Sequence, residues 1–129
     1  MKEDIIKAIS RYGDIALTGL KRRVKDSSGE LVWYLQNTDG EARNVFVATD
    51  VNEDFIRSVN ELMNEGAIEV TSCHPMIVSF DGGEIYDYKI AKPGKVYKKL
   101  RWLPLVLNLT DSKKEEIFIK KQIEWGQKI

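Results

Sequence analysis

The amino-acid sequence predicts an α+β fold, a small single domain with an antiparallel or mixed sheet of about five strands. Three observations lead there. Apolar residues recur at helical spacing near the start, in the middle and at the end of the chain. Between these stretches lie short runs rich in aromatic and branched residues, "LVWYL" and "VFV" among them. Tetrapeptides rich in glycine and aspartate separate the runs.

The first helix is expected over residues 2–12, where Ile5, Ile6, Ile9 and Tyr12 share a face and Gly13 supplies a C-terminal stop. Residues 15–25 read two ways. Ala16, Leu20 and Val24 align on a helix, whereas Ala16, Thr18, Leu20, Arg22 and Val24 alternate on a strand; the balance leans to helix. Asp26-Ser27-Ser28-Gly29 and Asn37-Thr38-Asp39-Gly40 read as turns, so 31–48 forms a hairpin of "LVWYL" against "VFV". Asp50 is the expected N-cap of the central helix, with Glu53 completing a capping-box-like pair. Val51, Phe55, Val59 and Leu62 repeat along it, Gly66 stops it, and residues 67–71 leave as a strand. Strands 76–80 and 85–90 are expected around Gly82-Gly83, with Ile77 facing Tyr88 and Ser79 facing Tyr86. Leu103, Leu105, Leu107 and Leu109 alternate as a last strand, which Pro104 pushes toward a sheet edge. Ser112-Lys113-Lys114-Glu115 is a capping box opening a C-terminal helix. The domain reading is 1–110 for the α+β unit and 111–129 for a helix packed on it or on a partner.

Composition narrows the function classes. Formal net charge is zero, so any attraction to nucleic acid or an anionic membrane must come from local clusters. Cys73 is the single cysteine, which excludes an intrachain disulfide. The first residues mix charges of both signs and lack a signal-peptide core. The longest apolar run, Trp102 to Leu107, falls far short of the roughly 20 residues needed to cross a bilayer. A cytoplasmic protein without membrane contact is the expectation.

Residues 50–90 carry a helix ending "LMNEGAIEV" and the hairpin-like "MIVSFDGGEIYDYKI". This stretch resembles the C-terminal half of a winged-helix domain, with helix 2–12 and segment 15–25 available as the first two helices. The resemblance implies a winged-helix-like fold with hairpin 31–48 inserted between the second and third helices. In DNA-binding members the third helix enters the major groove. Here residues 50–69 carry Asp50, Glu53, Asp54, Glu61, Glu65 and Glu69 against the single Arg57. A helix so acidic is repelled by phosphates, which argues against the usual docking.

Positive charge lies elsewhere. Lys21, Arg22, Arg23 and Lys25 form one cluster; Lys89, Lys92, Lys95, Lys98, Lys99 and Arg101 form another, interleaved with Tyr97 and Trp102. No acid falls between residues 88 and 110. Cations mixed with aromatic rings suit single strands or backbone contacts. The expected nucleic-acid-binding residues are therefore Lys21, Arg22, Arg23, Lys25, Lys95, Tyr97, Lys98, Lys99, Arg101 and Trp102. The competing reading is a solvated basic edge that balances the acidic helix.

Catalysis finds little support. Cys73 and His74 are adjacent, and on an extended segment their side chains point to opposite faces. One cysteine and one histidine make only a fragment of a metal site. Asp81, Glu84 and Asp87 read as turn residues. No catalytic residue, metal or cofactor is expected, and the chain is read as not an enzyme. On the C-terminal helix, Ile119 and Ile123 lie on one side, and Ile117, Phe118 and Trp125 on another. Two apolar sides imply a second contact, so Phe118 and Trp125 are expected to bind a partner, as in a homodimer. Two functions follow: a small non-catalytic nucleic-acid-associated protein acting through 21–25 and 89–102, or a protein-interaction module using the acidic helix and the C-terminal helix.

Overall fold

Ile5, Ala8 and Ile9 are buried on one face of the first helix, α1 (Lys2–Tyr12), in this computed structural model, which describes residues 1–36 and 42–128. Of Gln36, Ala42 and residues 121–128 it describes the backbone alone. Gly13 ends α1 with φ +77, a conformation favoured by glycine, and its N–H returns 2.8 Å to the Ile9 carbonyl. Tyr12 does not join the buried face. Its ring is 51% exposed and lies against Arg11 and Arg23.

Segment 15–25 divides between the two readings. Ile15–Ala16 is a short strand, β1, and Leu17–Arg23 is a helix, α2. Gly19 sits where a Cβ would lie 3.0 Å from the Asp81 carbonyl oxygen, so glycine serves close packing here. The hairpin expected over 31–48 is present and longer: β2 (Ser28–Gln36) pairs antiparallel with β3 (Ala42–Val51). The expected turn at Asn37-Thr38-Asp39-Gly40 lies outside the described residues. The preceding turn centres on Lys25-Asp26, and Ser28-Gly29 already belong to β2.

The central helix, α3, runs Glu53–Asn64 and buries Phe55, Val59 and Leu62. Its N-cap is Asn52 and not Asp50. The Asn52 Oδ1 accepts from Phe55 N at 2.8 Å, while Asp50 stays in β3 with φ +56. Asn52 also donates to the Asp26 and Ser28 carbonyls, which only an amide at this position can do while capping. After Gly66, β4 (Ile68–Ser72) leaves as expected.

The second expected hairpin does not form. Pro75–Phe80 is a helix, α4, because Pro75 presets the first helical φ and the His74 Nδ1 accepts from Met76 N at 3.1 Å. Val78 is the buried residue of α4, and the Gly83 N–H bonds back to its carbonyl at 3.0 Å. The chain then runs without regular structure, joined to its return by Ala91 N to Trp102 O and Trp102 N to Lys89 O. The Ile77–Tyr88 and Ser79–Tyr86 pairings are therefore absent. Tyr86 instead packs edge-on against Phe46 and Trp102, each ring centroid 5.1 Å away.

Arg101–Trp102 forms β5, parallel to β3, and Leu105–Leu109 forms β6. Six strands thus make two three-stranded sheets, ordered β1-β6-β4 and β2-β3-β5, among the described residues. Pro104 does not place its strand at an edge. It precedes β6, which is central, and its carbonyl accepts from Cys73 N at 3.0 Å. The last helix, α5 (Asp111–Lys128), is capped by the Thr110 hydroxyl, which accepts from Lys113 N at 3.2 Å; Ser112 already lies inside the first turn. The main core gathers α1, α2, α3, the inner faces of both sheets and Ile117 of α5. The fold is α+β. Among the described residues no helix is long and apolar enough to cross a membrane.

Candidate nucleic-acid interface

The segment after α4 is held in place by a buried polar cluster. Lys21 points inward from α2 with its side chain 7% exposed, and its ammonium donates to Thr49 O at 2.7 Å, Glu84 Oε2 at 2.9 Å and Tyr86 Oη at 3.3 Å. The Tyr86 hydroxyl accepts from Thr49 N at 2.8 Å. Thr18 Oγ1 donates to the Glu84 carbonyl, and Asp81 Oδ2 accepts from Ala16 N at 2.7 Å. Lys21 was expected to face a ligand, but its charge is occupied inside the fold. Asp81 and Glu84 thus both hold hydrogen bonds within the fold.

The rest of the first basic cluster stays outside. Arg22 Nη1 donates to Gly82 O at 2.7 Å, and Arg23 Nη1 to Gly19 O at 2.9 Å. Arg23 and Lys25 line a groove of about 460 Å³ together with Asp4, Lys7, Arg11 and Tyr12 of α1. The second cluster lines a different groove, of about 670 Å³, formed by residues 87–89 and 96–101. No groove described is lined by both clusters.

The second groove is built on the start of β3. Tyr97 N donates to Arg43 O at 3.1 Å, and Asn44 Nδ2 to Tyr97 O at 2.7 Å. Asn44 adopts φ +55, which asparagine tolerates better than most residues. The Tyr97 hydroxyl accepts from Lys92 N at 2.8 Å, and the Arg101 guanidinium lies 4.2 Å from the Tyr97 ring centroid. Lys89, Lys98, Lys99 and half-exposed Tyr88 also line it, with Asp87, Val96 and Leu100. Among the described residues none of these four cations, Arg101 included, holds a carboxylate in an ion pair. Lys95 is exposed beside the groove, its carbonyl accepting from Arg43 Nε at 3.3 Å. Trp102 is 1% exposed and donates its indole N–H to Val47 O, so it serves the core and offers no stacking face.

The acidic face of α3 is partly neutralised. Lys2 reaches Glu61 and Glu65, and Arg57 reaches Glu53 and Asp54. The Lys2 hydrogen bond and charge hold Glu61 below the usual carboxylate range, and Glu61 and Glu65 raise Lys2 in turn. His74 Nδ1 is engaged at the start of α4, where it accepts from Met76 N. Burial pushes the Cys73 thiol up, and the Asp81 charge adds to it. Among the described residues no three metal-ligating side chains converge.

On α5, Ile117 packs on the core while Phe118 and Ile119 are 61% and 50% exposed. The Trp125 side chain lies outside the described set. The sequence reading missed Lys7 and Arg11, though their spacing of one helical turn on α1 was a signal. Comparisons with family models, curated proteins and solved structures gave no match for this chain.

Proposed function

We propose that this chain is a small non-catalytic binding protein that associates with nucleic acid through the groove of residues 87–101. One observation carries the reading: Lys89, Lys98, Lys99 and Arg101, four cations without a carboxylate partner among the described residues, line one groove with Tyr88 and Tyr97. Exposed cations supply the phosphate attraction, and the Tyr88 ring and the Arg101–Tyr97 stack supply flat faces for bases. Single strands suit such a groove better than duplex, because their bases can leave the stack.

A winged-helix-like reading fits this proposal. The three helices α1, α2 and α3 are followed by β4 and β6, which bracket residues 73–104 where a wing would lie. The basic groove belongs to that wing-like segment. The acidic α3 is then a scaffold helix and not the reader. Retention on immobilised single-stranded DNA and RNA at low salt tests the function. Wild-type protein should be retained, and Lys98→Glu with Lys99→Glu should elute in the void. Wild-type protein that passes both columns removes the reading.

A second reading has its own support. Phe118 and Ile119 form an exposed apolar pair on a helix whose other side already packs on the core. This favours self-association through α5, as a two-fold dimer. Phe118→Asp should convert a dimer to a monomer in light scattering without changing the circular dichroism spectrum; a wild-type monomer at high concentration rules the dimer out.

A further inference from the structure

We propose that the groove between α1 and α2 is a phosphate-binding site, separate from the groove of residues 87–101 and independent of the function assigned to that groove. Lys7 and Arg11 reach it from α1, Arg23 from the last turn of α2, and Lys25 from just beyond, with Asp4 as the acid in the lining. None of these four cations holds an ion pair among the described residues, whereas Lys2, Lys21, Arg57 and Lys113 each hold a carboxylate.

Basic residues at helix C-termini have an ordinary role, which is to answer the helix dipole. The charge balance decides whether that role suffices. Each of the two helix ends contributes about half a negative charge, or about one together. Asp4 adds one more. Four cations against these leave roughly two positive charges unanswered, which matches a phosphate dianion and exceeds what the two helix ends call for. The geometry is also prepared. The guanidinium carbons of Arg23 and Arg11 lie 4.6 and 5.7 Å from the Tyr12 ring centroid, and the Arg23 Nη1 is tied to Gly19 O. A guanidinium already oriented on a ring loses less freedom when its remaining N–H groups grip a phosphate. At about 460 Å³ the groove has room for a pyrophosphate.

The test is an amide NMR titration of the full chain with pyrophosphate at constant ionic strength. Saturable shifts should concentrate in residues 7–13 and 21–25. Arg11→Gln with Arg23→Gln should weaken binding by at least about tenfold, as expected when two charge-assisted contacts are lost. Lys7→Gln with Lys25→Gln, which leaves the Tyr12 stack intact, should do the same if the first pair disturbs folding. Lys98→Glu with Lys99→Glu should leave the titration unchanged. A parallel comparison of 5′-phosphorylated and 5′-hydroxyl oligonucleotides identifies the source. Preference for the phosphorylated end assigns a nucleic-acid terminus; pyrophosphate binding without that preference assigns a free phosphate ligand; both support the site. Shifts that fail to saturate, that spread over every basic surface, or that survive both glutamine pairs overturn it.

Discussion

Removing either partner of the Lys21–Glu84 pair should destabilise the protein, and by unequal amounts. The Lys21 side chain is 7% exposed and that of Glu84 32% exposed. Glu84→Gln therefore leaves a buried ammonium without its countercharge, facing only neutral acceptors: Thr49 O, Tyr86 Oη and the glutamine's own amide oxygen. Losing one member of a buried pair costs about 3–5 kcal/mol. These neutral acceptors reduce this to about 2–3 kcal/mol, since hydrogen bonds to a charged group are among the stronger ones. Lys21→Met leaves a carboxylate that water can reach, plus one unsatisfied carbonyl, for about 1–2 kcal/mol. The double variant removes both charges and should cost no more than Glu84→Gln alone. Urea denaturation of the four proteins, read by linear extrapolation with slopes compared, gives these differences. If Lys21→Met proves the more damaging, or if the double variant equals the sum of the singles, the ammonium is not the buried charge of the Lys21–Glu84 pair.

Three other outcomes follow from the same geometry. Gly83→Ala places a Cβ 2.5 Å from Thr18 Oγ1 and 2.7 Å from Val78 Cγ1, and should lower stability by about 1–3 kcal/mol; Gly66→Ala meets no atom within 4 Å and should cost about 1 kcal/mol, from its φ of +75 alone. Lys2 lowers Glu61 from its ordinary value of 4.5, so this pair stabilises the fold above that pH and the contribution is lost as pH falls through the folded value. Lys2→Gln should therefore flatten the acid side of a stability–pH curve, and the basic side as well, because Lys2 is raised from 10.5 and its contribution disappears as pH rises through the folded value. Cys73, raised from 9.0 by burial and by Asp81, should react with a thiol reagent more slowly than free cysteine at pH 8, and Asp81→Asn should speed it.

Periodicity made the helices of the main core readable. Phe55, Val59 and Leu62 announce α3, and Ile5 and Ile9 announce α1, because burial of one face dictates helical spacing. The hairpin β2–β3 was legible from branched and aromatic residues for the same reason. Residues 75–90 misled because alternation in a six-residue run fits a helix equally well when proline opens it. Only the tertiary contacts of Val78 and Tyr86, with Gly83 pressed on Thr18, decide between them. Both caps were misplaced by two residues, Asp50 for Asn52 and Ser112 for Thr110, since each neighbour carries a suitable oxygen and only the backbone path selects one. Charge clusters were visible as composition. Their partition was not: the sequence grouped Lys21 with Arg23, whereas the fold buries the first and joins the second to Lys7 and Arg11. Trp102 looked like a stacking residue for the same reason, its neighbours being basic while its own side chain lies in the core.

The central claim is that residues 87–101 form a cationic groove for single-stranded nucleic acid. Fluorescence anisotropy of a labelled oligonucleotide, titrated with protein over a series of salt concentrations, tests it most directly. Four groove cations predict a slope of about −3 for log K against log salt, since each phosphate neutralised on a single strand contributes about −0.7. Lys98→Glu with Lys99→Glu should abolish binding at the lowest salt, and duplex of the same sequence should bind more weakly than the single strand. No binding by wild-type protein at low salt, or equal binding by the charge-reversed variant, would contradict the account.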